Sequence, residues 1–291
     1  MKRKGVELNN AKTTTGLELK VHNNFLKIVP AYFLLPIFFL IIIFLYLFIR
    51  DALNVHAYIN IQKEQFFSLN AMLSQFPSTQ YNLTQFGDPL IFLSLLSILI
   101  IRSPKIWECL ISALLVCALL SYSLKRIFAV PRPAAAFPDN SFVIIGKTLL
   151  GNTSLPSGHS ITIFAVLTVL LYAFLPKRKS SKIIWVVFVF TLGVILIFTR
   201  VGVGAHYPLD VISGAIIGYL SGILGVFISR ENNILGWVKI KKYYPIVFIL
   251  FLICCIFLTV KIARENLVIF YFAFISLAVT TFKIVHMYVK K

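Results

Sequence analysis

The feature that most constrains this chain is a succession of apolar runs along almost its whole length of 291 residues. Of these residues, 59% are hydrophobic and only 13% are charged, whereas a soluble domain is about half apolar and about a quarter charged. A transmembrane helix needs about 20 mainly apolar residues. The pattern therefore predicts an all-α, polytopic transmembrane bundle of about eight spans. The predicted spans are residues 28–49, 90–101, 106–124, 157–175, 183–198, 208–229, 245–260 and 267–282.

The first apolar run indicates how the chain is organised. It is too long for a signal-peptide core and lacks a small-residue cleavage pattern, so we interpret it as a signal anchor. Residues 1–27, which are polar and basic, are predicted to form a cytoplasmic tail. Residues 28–229 are predicted to form a six-span core, and residues 230–291 a helical hairpin of two additional spans with a cytoplasmic tail.

A polar insertion, which is predicted to be extracytoplasmic, interrupts the core at residues 50–87 and is rich in Asn, Gln and Ser. Two interpretations are open: an ordinary loop, or a helix that lies at the membrane surface beside a lipid entrance. After it, Asp88 and Pro89 form a typical helix start, with Asp as N-cap and Pro at the first helical position. An apolar side of the insertion comes from Phe66, Phe67, Leu69, Met72, Leu73 and Phe76.

The sixth predicted span has a row of glycines at intervals of three and four residues. Such spacing is typical of close helix packing in membranes, and we read nothing more into it. The glycines are Gly214, Gly218, Gly222 and Gly225.

The formal net charge of +18 has two interpretations: the positive-inside bias of a membrane protein, or binding of nucleic acid or anionic lipid. We favour the first, because no basic run is interleaved with aromatic residues as on a nucleic-acid surface. With the N-terminus in the cytoplasm, 19 of the 28 Lys and Arg residues fall on the inner side and nine on the outer side. This asymmetry predicts that both termini are cytoplasmic.

The predicted orientation places three polar clusters together on the outer side, and one of them contains Arg200, His206 and Asp210. Pro208 favours a helix start at that point, which puts Asp210 in the first turn. A carboxylate there can bind one imidazole nitrogen of His206 and leave the other free to attack. The alternative is an interfacial histidine with a capping aspartate.

The second cluster, Ser157, Gly158 and His159, lies at the outer start of a predicted helix. Helix N-termini attract phosphate, and a histidine in the first turn can donate a proton to a leaving oxygen. The alternative is a plain helix cap followed by a chance histidine. The third cluster contributes Lys125 and Arg132, whose guanidinium can bind a phosphate through two parallel hydrogen bonds. Its alternative is a pair of cations snorkelling to the interface.

The three clusters together are typical of a phosphoryl-transfer site, because cations and two histidines converge on one face. No pair of Asp or Glu residues with the character of Mg²⁺ ligands accompanies them. The cations can themselves neutralise the charge of the transition state. We therefore predict neither a metal nor another cofactor.

In order along the chain, the three clusters resemble the signature of the type 2 phosphatidic acid phosphatase superfamily, which also includes the vanadium haloperoxidases. Thr199 departs from the pattern, since the family usually has Ser there, but a hydroxyl is kept. The motifs are Lys125-x6-Arg132-Pro133, Pro156-Ser157-Gly158-His159 and Thr199-Arg200-x5-His206-x3-Asp210.

The resemblance implies a role for each motif residue. His206 is the nucleophile that forms a phosphohistidine, and Asp210 orients it. His159 protonates the leaving group and then activates water. The phosphate oxygens are held by Lys125, Arg132, Ser157, Gly158 and Arg200.

The resemblance also implies the activity: a metal-independent, integral-membrane lipid phosphatase that removes a terminal phosphate from a lipid mono- or diphosphate. Undecaprenyl pyrophosphate is the first choice of substrate, with lipid A or phosphatidylglycerol phosphate close behind. In a bacterium, the site would lie on the extracytoplasmic face of the cytoplasmic membrane. A lipid-to-lipid phosphotransferase, for instance onto lipid A, remains an alternative, as does a non-catalytic transporter or scaffold. The spans exclude a soluble haloperoxidase, and the oligomeric state is left open.

Overall fold

The structure is a computed structural model that describes residues 16–138, 140–231 and 235–290. Residues 1–15 of the predicted tail, residue 139, residues 232–234 and residue 291 lie outside the described residues. The described chain folds into α-helices joined by short 3-10 turns and loops. The helices are α1 (Gly16–Leu26), α2 (Leu34–Ile49), α3 (Val55–Asn60), α4 (Lys63–Leu73), α5 (Pro77–Thr84), α6 (Pro89–Leu95), α7 (Leu99–Arg102), α8 (Pro104–Phe128), α9 (Pro133–Ala136), α10 (Gly158–Ala173), α11 (Lys179–Gly202), α12 (Pro208–Glu231), α13 (Tyr244–Glu265) and α14 (Val268–Val289).

Six helical segments in the described ranges are long and apolar enough to cross a membrane, and α10 is a shorter apolar helix of 16 residues. The prediction of an all-α, polytopic bundle is confirmed. The six segments are Pro30–Ile49, Pro104–Ala136, Lys179–Gly202, Pro208–Glu231, Lys241–Glu265 and Val268–Val289.

The structure corrects the prediction of a second span at residues 90–101. The chain does not form one helix there, because α6 ends at Leu95 and α7 begins only at Leu99. Side chains from α14 stabilise the break: Ser276 donates to the Leu95 carbonyl oxygen at 3.0 Å, and the Ser97 hydroxyl lies 2.9 Å from that of Thr280. These bonds satisfy a backbone carbonyl and hydroxyl groups at the break, where the chain lacks the regular backbone pairing of a continuous helix.

The glycines of α12 allow it to lie directly against α10 and α8, which confirms the predicted close packing. A Cβ at Gly218 would collide with the backbone carbonyl of Ile161 in α10. A Cβ at Gly225 would lie 2.5 Å from the backbone nitrogen of Ala113 in α8. Helices α8, α10 and α12 therefore form the tight centre of the bundle, and most of the predicted site residues lie at one end of it.

The insertion is not an ordinary loop, since residues 50–87 fold into α3, α4 and α5. Phe66 is fully buried and packs on Tyr207 with ring centroids 5.6 Å apart. Asn70 joins the insertion to two other segments: its Nδ2 donates to the carbonyl oxygens of Val143 at 2.9 Å and Val201 at 3.1 Å, and its Oδ1 accepts from the Val143 amide at 2.9 Å. The insertion thus packs over the end of the bundle where the predicted site residues lie.

The opposite end of the bundle is covered in part by α1, which belongs to the segment predicted as a tail. Its Asn24 Nδ2 donates to the carbonyl oxygens of Ala173 at 3.2 Å and Leu175 at 3.1 Å. The last carbonyls of a helix lack partners within the helix, so this side chain caps the end of α10.

Candidate active site

His206 and Asp210 meet at the start of α12, as the spacing of the motif predicts. His206 Nδ1 lies 3.5 Å from Asp210 Oδ2, and both side chains are buried. The carboxylate is fixed by three other donors: Ser154 Oγ at 2.6 Å and the Tyr207 amide at 3.0 Å bind Oδ2, while the Tyr58 hydroxyl binds Oδ1 at 2.7 Å. The acid is therefore held rigidly beside the imidazole.

The other imidazole nitrogen faces a cation. Arg132 Nη1 lies 3.4 Å from His206 Nε2 and donates to the Ala205 carbonyl oxygen at 3.4 Å. The arginine is held by the loop before α10, because its Nε donates to Thr153 Oγ1 at 3.2 Å and its amide donates to the Gly151 carbonyl oxygen at 3.0 Å. The imidazole thus lies between a carboxylate and a guanidinium.

Burial and neighbouring cations set the protonation state of His206. Burial lowers its pKa well below the ordinary value of 6.5, and the charges of Arg132, Arg200 and Lys125 lower it further. A neutral imidazole keeps a lone pair on one nitrogen, which a nucleophile requires. The surroundings therefore favour the form of His206 that can attack.

The insertion supplies partners that the motifs do not reveal. Burial, followed by the charge of Asp210, raises the pKa of Tyr58 well above 10, so its hydroxyl remains a donor to the carboxylate. From the same insertion, Gln62 Oε1 accepts from the Leu209 amide at 3.0 Å and so satisfies a free donor of the first turn of α12. No motif marks Tyr58, Gln62 or the loop residue Ser154 in the sequence, so these contacts were missed.

Arg200 and His159 line one cavity of about 170 Å³. Arg200 is only 6% exposed, its Nη1 donates to Thr84 Oγ1 at 2.9 Å, and its buried Nε has no hydrogen-bond partner among the described residues. A buried guanidinium donor without a partner can bind an anionic oxygen. The cavity is lined by Tyr81, Thr84, Gln85, Ala134, Ile144, Ile145, Lys147, Leu149, His159, Arg200, Val203, Gly204 and Ala205.

The start of α10 brings the remaining predicted residues to the same end. Ser157 caps the helix through Oγ, and its amide donates to the Asp210 carbonyl oxygen at 3.0 Å. A Cβ at Gly158 would lie 3.4 Å from Lys125 Nζ, so the ammonium group is packed against this helix start. Lys125, Arg132 and His206 are not among the residues that line the cavity, although Arg132 contacts Ala205, which lines it.

In the part of the chain that the structure describes, no group of three or more His, Cys, Asp or Glu side chains is arranged to hold a metal ion.

Residues 107–234, which contain every predicted site residue, match the family model of the PAP2 superfamily. This segment, which is less than half of the chain, is similar to the PAP2 superfamily. This confirms the resemblance read from the three motifs. The PAP2 segment covers the tight centre of α8, α10 and α12 together with α11.

Three curated proteins are similar to this chain. The bacitracin transport permease protein BcrC of Bacillus licheniformis is 33% identical over 92 residues, which is 32% of this chain and 40% of that protein. The undecaprenyl-diphosphatase of Sulfolobus acidocaldarius is 27% identical over 183 residues, 62% of this chain and 81% of that protein. The undecaprenyl-diphosphatase BcrC of Bacillus subtilis is 26% identical over 105 residues, 36% of this chain and 48% of that protein. The alignments thus span less than half the length of both BcrC proteins.

Among solved structures, the crystal structure of Aquifex aeolicus LpxE aligns with 27% sequence identity and a TM-score of 0.47. The alignment covers 57% of this chain and 95% of that one.

Proposed function

We propose that this protein is an integral-membrane lipid phosphatase that hydrolyses a terminal phosphate from a lipid mono- or diphosphate. The observation that carries the proposal is the placement of the buried His206 between two opposite charges. Its Nδ1 lies 3.5 Å from Asp210 Oδ2, and its Nε2 lies 3.4 Å from Arg132 Nη1. The acid orients the ring, and the cation stands where a phosphate oxygen has to be held beside the attacking nitrogen.

The first chemical step transfers the phosphoryl group to the protein. The Nε2 lone pair of His206 forms a bond to phosphorus while the bond from phosphorus to the leaving oxygen breaks. The electron pair of that bond goes to the leaving oxygen, which takes a proton from His159. The product is a phosphohistidine and a protonated leaving group.

The second step returns the protein to its starting state. His159, now neutral, accepts a proton from water, and the water oxygen attacks phosphorus. The bond between phosphorus and Nε2 breaks, and its electron pair returns to His206. Inorganic phosphate leaves, and both histidines have the protons with which they began.

The phosphate oxygens carry the charge that must be stabilised in both steps. Lys125, Arg132 and Arg200 supply positive charge without a metal, and Gly158 lets the helix start approach closely. Ser157 would contribute its hydroxyl, because its amide already donates to the Asp210 carbonyl oxygen. Activity should therefore persist in the presence of a chelator.

Undecaprenyl pyrophosphate is the proposed substrate of first choice. Two of the relatives are named as undecaprenyl-diphosphatases, which supports this choice. Lipid A and phosphatidylglycerol phosphate are also lipid phosphates, and they are tested beside undecaprenyl pyrophosphate. An acceptor lipid in place of water would make the same site a phosphotransferase.

We further propose that the site faces the extracytoplasmic side and that both termini are cytoplasmic. The site residues lie at the end of the bundle opposite to α1 and to the basic turn at residues 177–182. Basic turns favour the cytoplasmic side, which supports this orientation. Reporter fusions after residue 178 and after residue 290 should both report the cytoplasm.

The deciding experiment is phosphate release by the purified protein from the three lipids, with and without EDTA. His206→Ala should abolish release. His56→Ala is the matched control, because His56 is exposed on α3 and contacts Asn60. Full activity of His206→Ala would contradict the assignment of the nucleophile, and loss of activity in EDTA would contradict metal-free catalysis. Labelled phosphate appearing on lipid A rather than in solution would identify the phosphotransferase.

A further inference from the structure

Residues 81–88, at the end of the insertion, contact two of the predicted site residues. Thr84 Oγ1 accepts from Arg200 Nη1 at 2.9 Å, and both side chains are buried. Gly87 lies directly against His159, since a Cβ at this glycine would collide with the His159 ring. The position of this short segment therefore determines where a proposed phosphate ligand and the proposed proton donor can lie.

This segment is in turn fixed by the C-terminal hairpin, α13 and α14. Lys261 Nζ lies 2.9 Å from Asp88 Oδ2. The Tyr81 hydroxyl donates to Glu265 Oε2 at 2.7 Å, and the desolvation and carboxylate that raise the Tyr81 pKa to about 12 keep this donor protonated. The two contacts lie on either side of Thr84 and Gly87 in the chain.

A third contact comes from the first turn of α14, whose Ile269 amide donates to Asn82 Oδ1 at 3.2 Å. Lys261 and Glu265 are four residues apart and so lie on one face of α13. The adjoining ends of α13 and α14 thus hold residues 81–88 at three points. Neither helix of the hairpin belongs to the segment that matches the PAP2 family model.

We propose that the C-terminal hairpin is a positioning element of the active site, which holds residues 81–88 and through them His159 and Arg200. The inference rests on the proposed phosphatase function. Lys261 and Glu265 are positioning residues, because they act through Asp88 and Tyr81 and touch no reacting atom. The hairpin thereby gives the last two spans a part in catalysis.

The leaving group distinguishes this role from a general contribution to folding. An alkoxide leaving from phosphatidic acid needs the proton of His159, whereas a nitrophenolate leaves p-nitrophenyl phosphate without one. Loss of His159 alignment lowers kcat for phosphatidic acid alone. Loss of Arg200 alignment raises KM for both substrates, and general unfolding lowers the rate for both by the same factor.

The experiment compares kcat and KM of the full-length protein on these two substrates. In the combined variant Lys261→Gln/Glu265→Ala, kcat for phosphatidic acid should fall about tenfold, which is a fraction of the rate enhancement that a general acid provides. The kcat for p-nitrophenyl phosphate should fall less than about twofold, because its leaving group needs no proton. Lys261→Arg should keep the wild-type values. Arg264→Gln is the matched control, because it removes one positive charge from an exposed position in the same turn of α13.

The outcomes distinguish a positioning role of the hairpin from a general contribution to folding. An unchanged ratio of the two kcat values, with or without an equal loss on both, would overturn the positioning role. If the combined variant does not fold, Lys261→Gln and Glu265→Ala are compared singly by the same ratio. Absence of phosphate release by the wild-type protein from phosphatidic acid and from all three lipids named above would instead refute the proposed function itself.

Discussion

The hydroxyl of Tyr58 donates a hydrogen bond of 2.7 Å to Oδ1 of Asp210, although 152 positions separate the two residues in the chain. Both side chains are buried, at 4% and 0% exposure. The insertion between the first and second predicted spans is thus part of the same hydrogen-bond network as the proposed nucleophile. This relationship leads to the first prediction.

Tyr58→Phe should lower kcat about tenfold, because it leaves one oxygen of a buried carboxylate without its donor and so loosens the acid beside His206. The loss of a hydrogen bond to a charged group corresponds to about 1.5–3 kcal/mol. Steady-state kinetics on the best lipid substrate measures the effect. Tyr46→Phe, at an exposed position of α2, is the control. Equal kcat in the two variants would show that the bond to Asp210 is irrelevant to catalysis.

Arg132→Gln should change the pH dependence as well as the rate. Burial is the main cause of the lowered pKa of His206, and Arg132 is the largest of the neighbouring charges that lower it further. Without this cation the pKa rises towards 6.5, so His206 becomes protonated and inactive at a higher pH than in the wild type. The acid limb of kcat/KM should therefore move to higher pH.

Arg126→Gln provides the control for that shift. Arg126 lies in the last turn of α8 and is exposed. Its guanidinium carbon is 4.2 Å from the centroid of the Tyr122 ring. Its removal should leave the acid limb in place. A profile of Arg132→Gln that coincides with the wild type after normalisation would contradict the electrostatic account.

Asn70→Ala should destabilise the fold by about 3 kcal/mol, because it leaves buried backbone groups of two other segments without partners. Asn70 is 1% exposed and bonds to Val143, Val201 and Gly202. Denaturant unfolding in detergent measures the loss. Asn60→Ala, at an exposed position of α3, should change the free energy of unfolding by less than about 0.5 kcal/mol. A matching small change in Asn70→Ala would mean that the insertion is not held by this residue.

Gly218→Ala should lower the midpoint of thermal unfolding by roughly 5 to 10 °C. Its new Cβ would collide with the Ile161 carbonyl and push α12 away from α10, and overpacking of this kind costs about 1–3 kcal/mol. Gly16→Ala, where no atom lies within 4 Å of the added Cβ, is the matched substitution. If both variants melt at the same temperature, the contact between the two helices is not tight.

Predictions from the sequence succeeded for features that depend on residues only a few positions apart. The helix start at Pro208, the pairing of His206 with Asp210 and the glycine face of α12 follow from spacing over a few residues, and the structure has all three. The resemblance to the PAP2 superfamily followed from three motifs in order. Sidedness and the roles of the site residues stay predictions.

Sequence reasoning was wrong or incomplete where a contact between distant segments decides the outcome. Residues 90–101 look like a span by composition, yet hydroxyls of α14 stabilise a break at Leu95 to Leu99. Ser154 reaches Asp210 across 56 positions, and Thr84 reaches Arg200 across 116. Polar residues of this kind are common, so no local sequence pattern distinguishes those that bind a distant partner from those that do not.

By itself the sequence determined that this chain forms a helical membrane bundle and that a phosphoryl-transfer motif lies at one end of it. Apolar runs of sufficient length have one stable form in a bilayer, because a helix pairs its own backbone groups where water is absent. Only the tertiary structure decided that the insertion contacts the predicted site residues and that the C-terminal hairpin contacts the end of the insertion. Tyr58, Thr84 and Lys261 act through hydrogen bonds and ion pairs a few ångströms long, and only the packing of the whole chain brings such partners together.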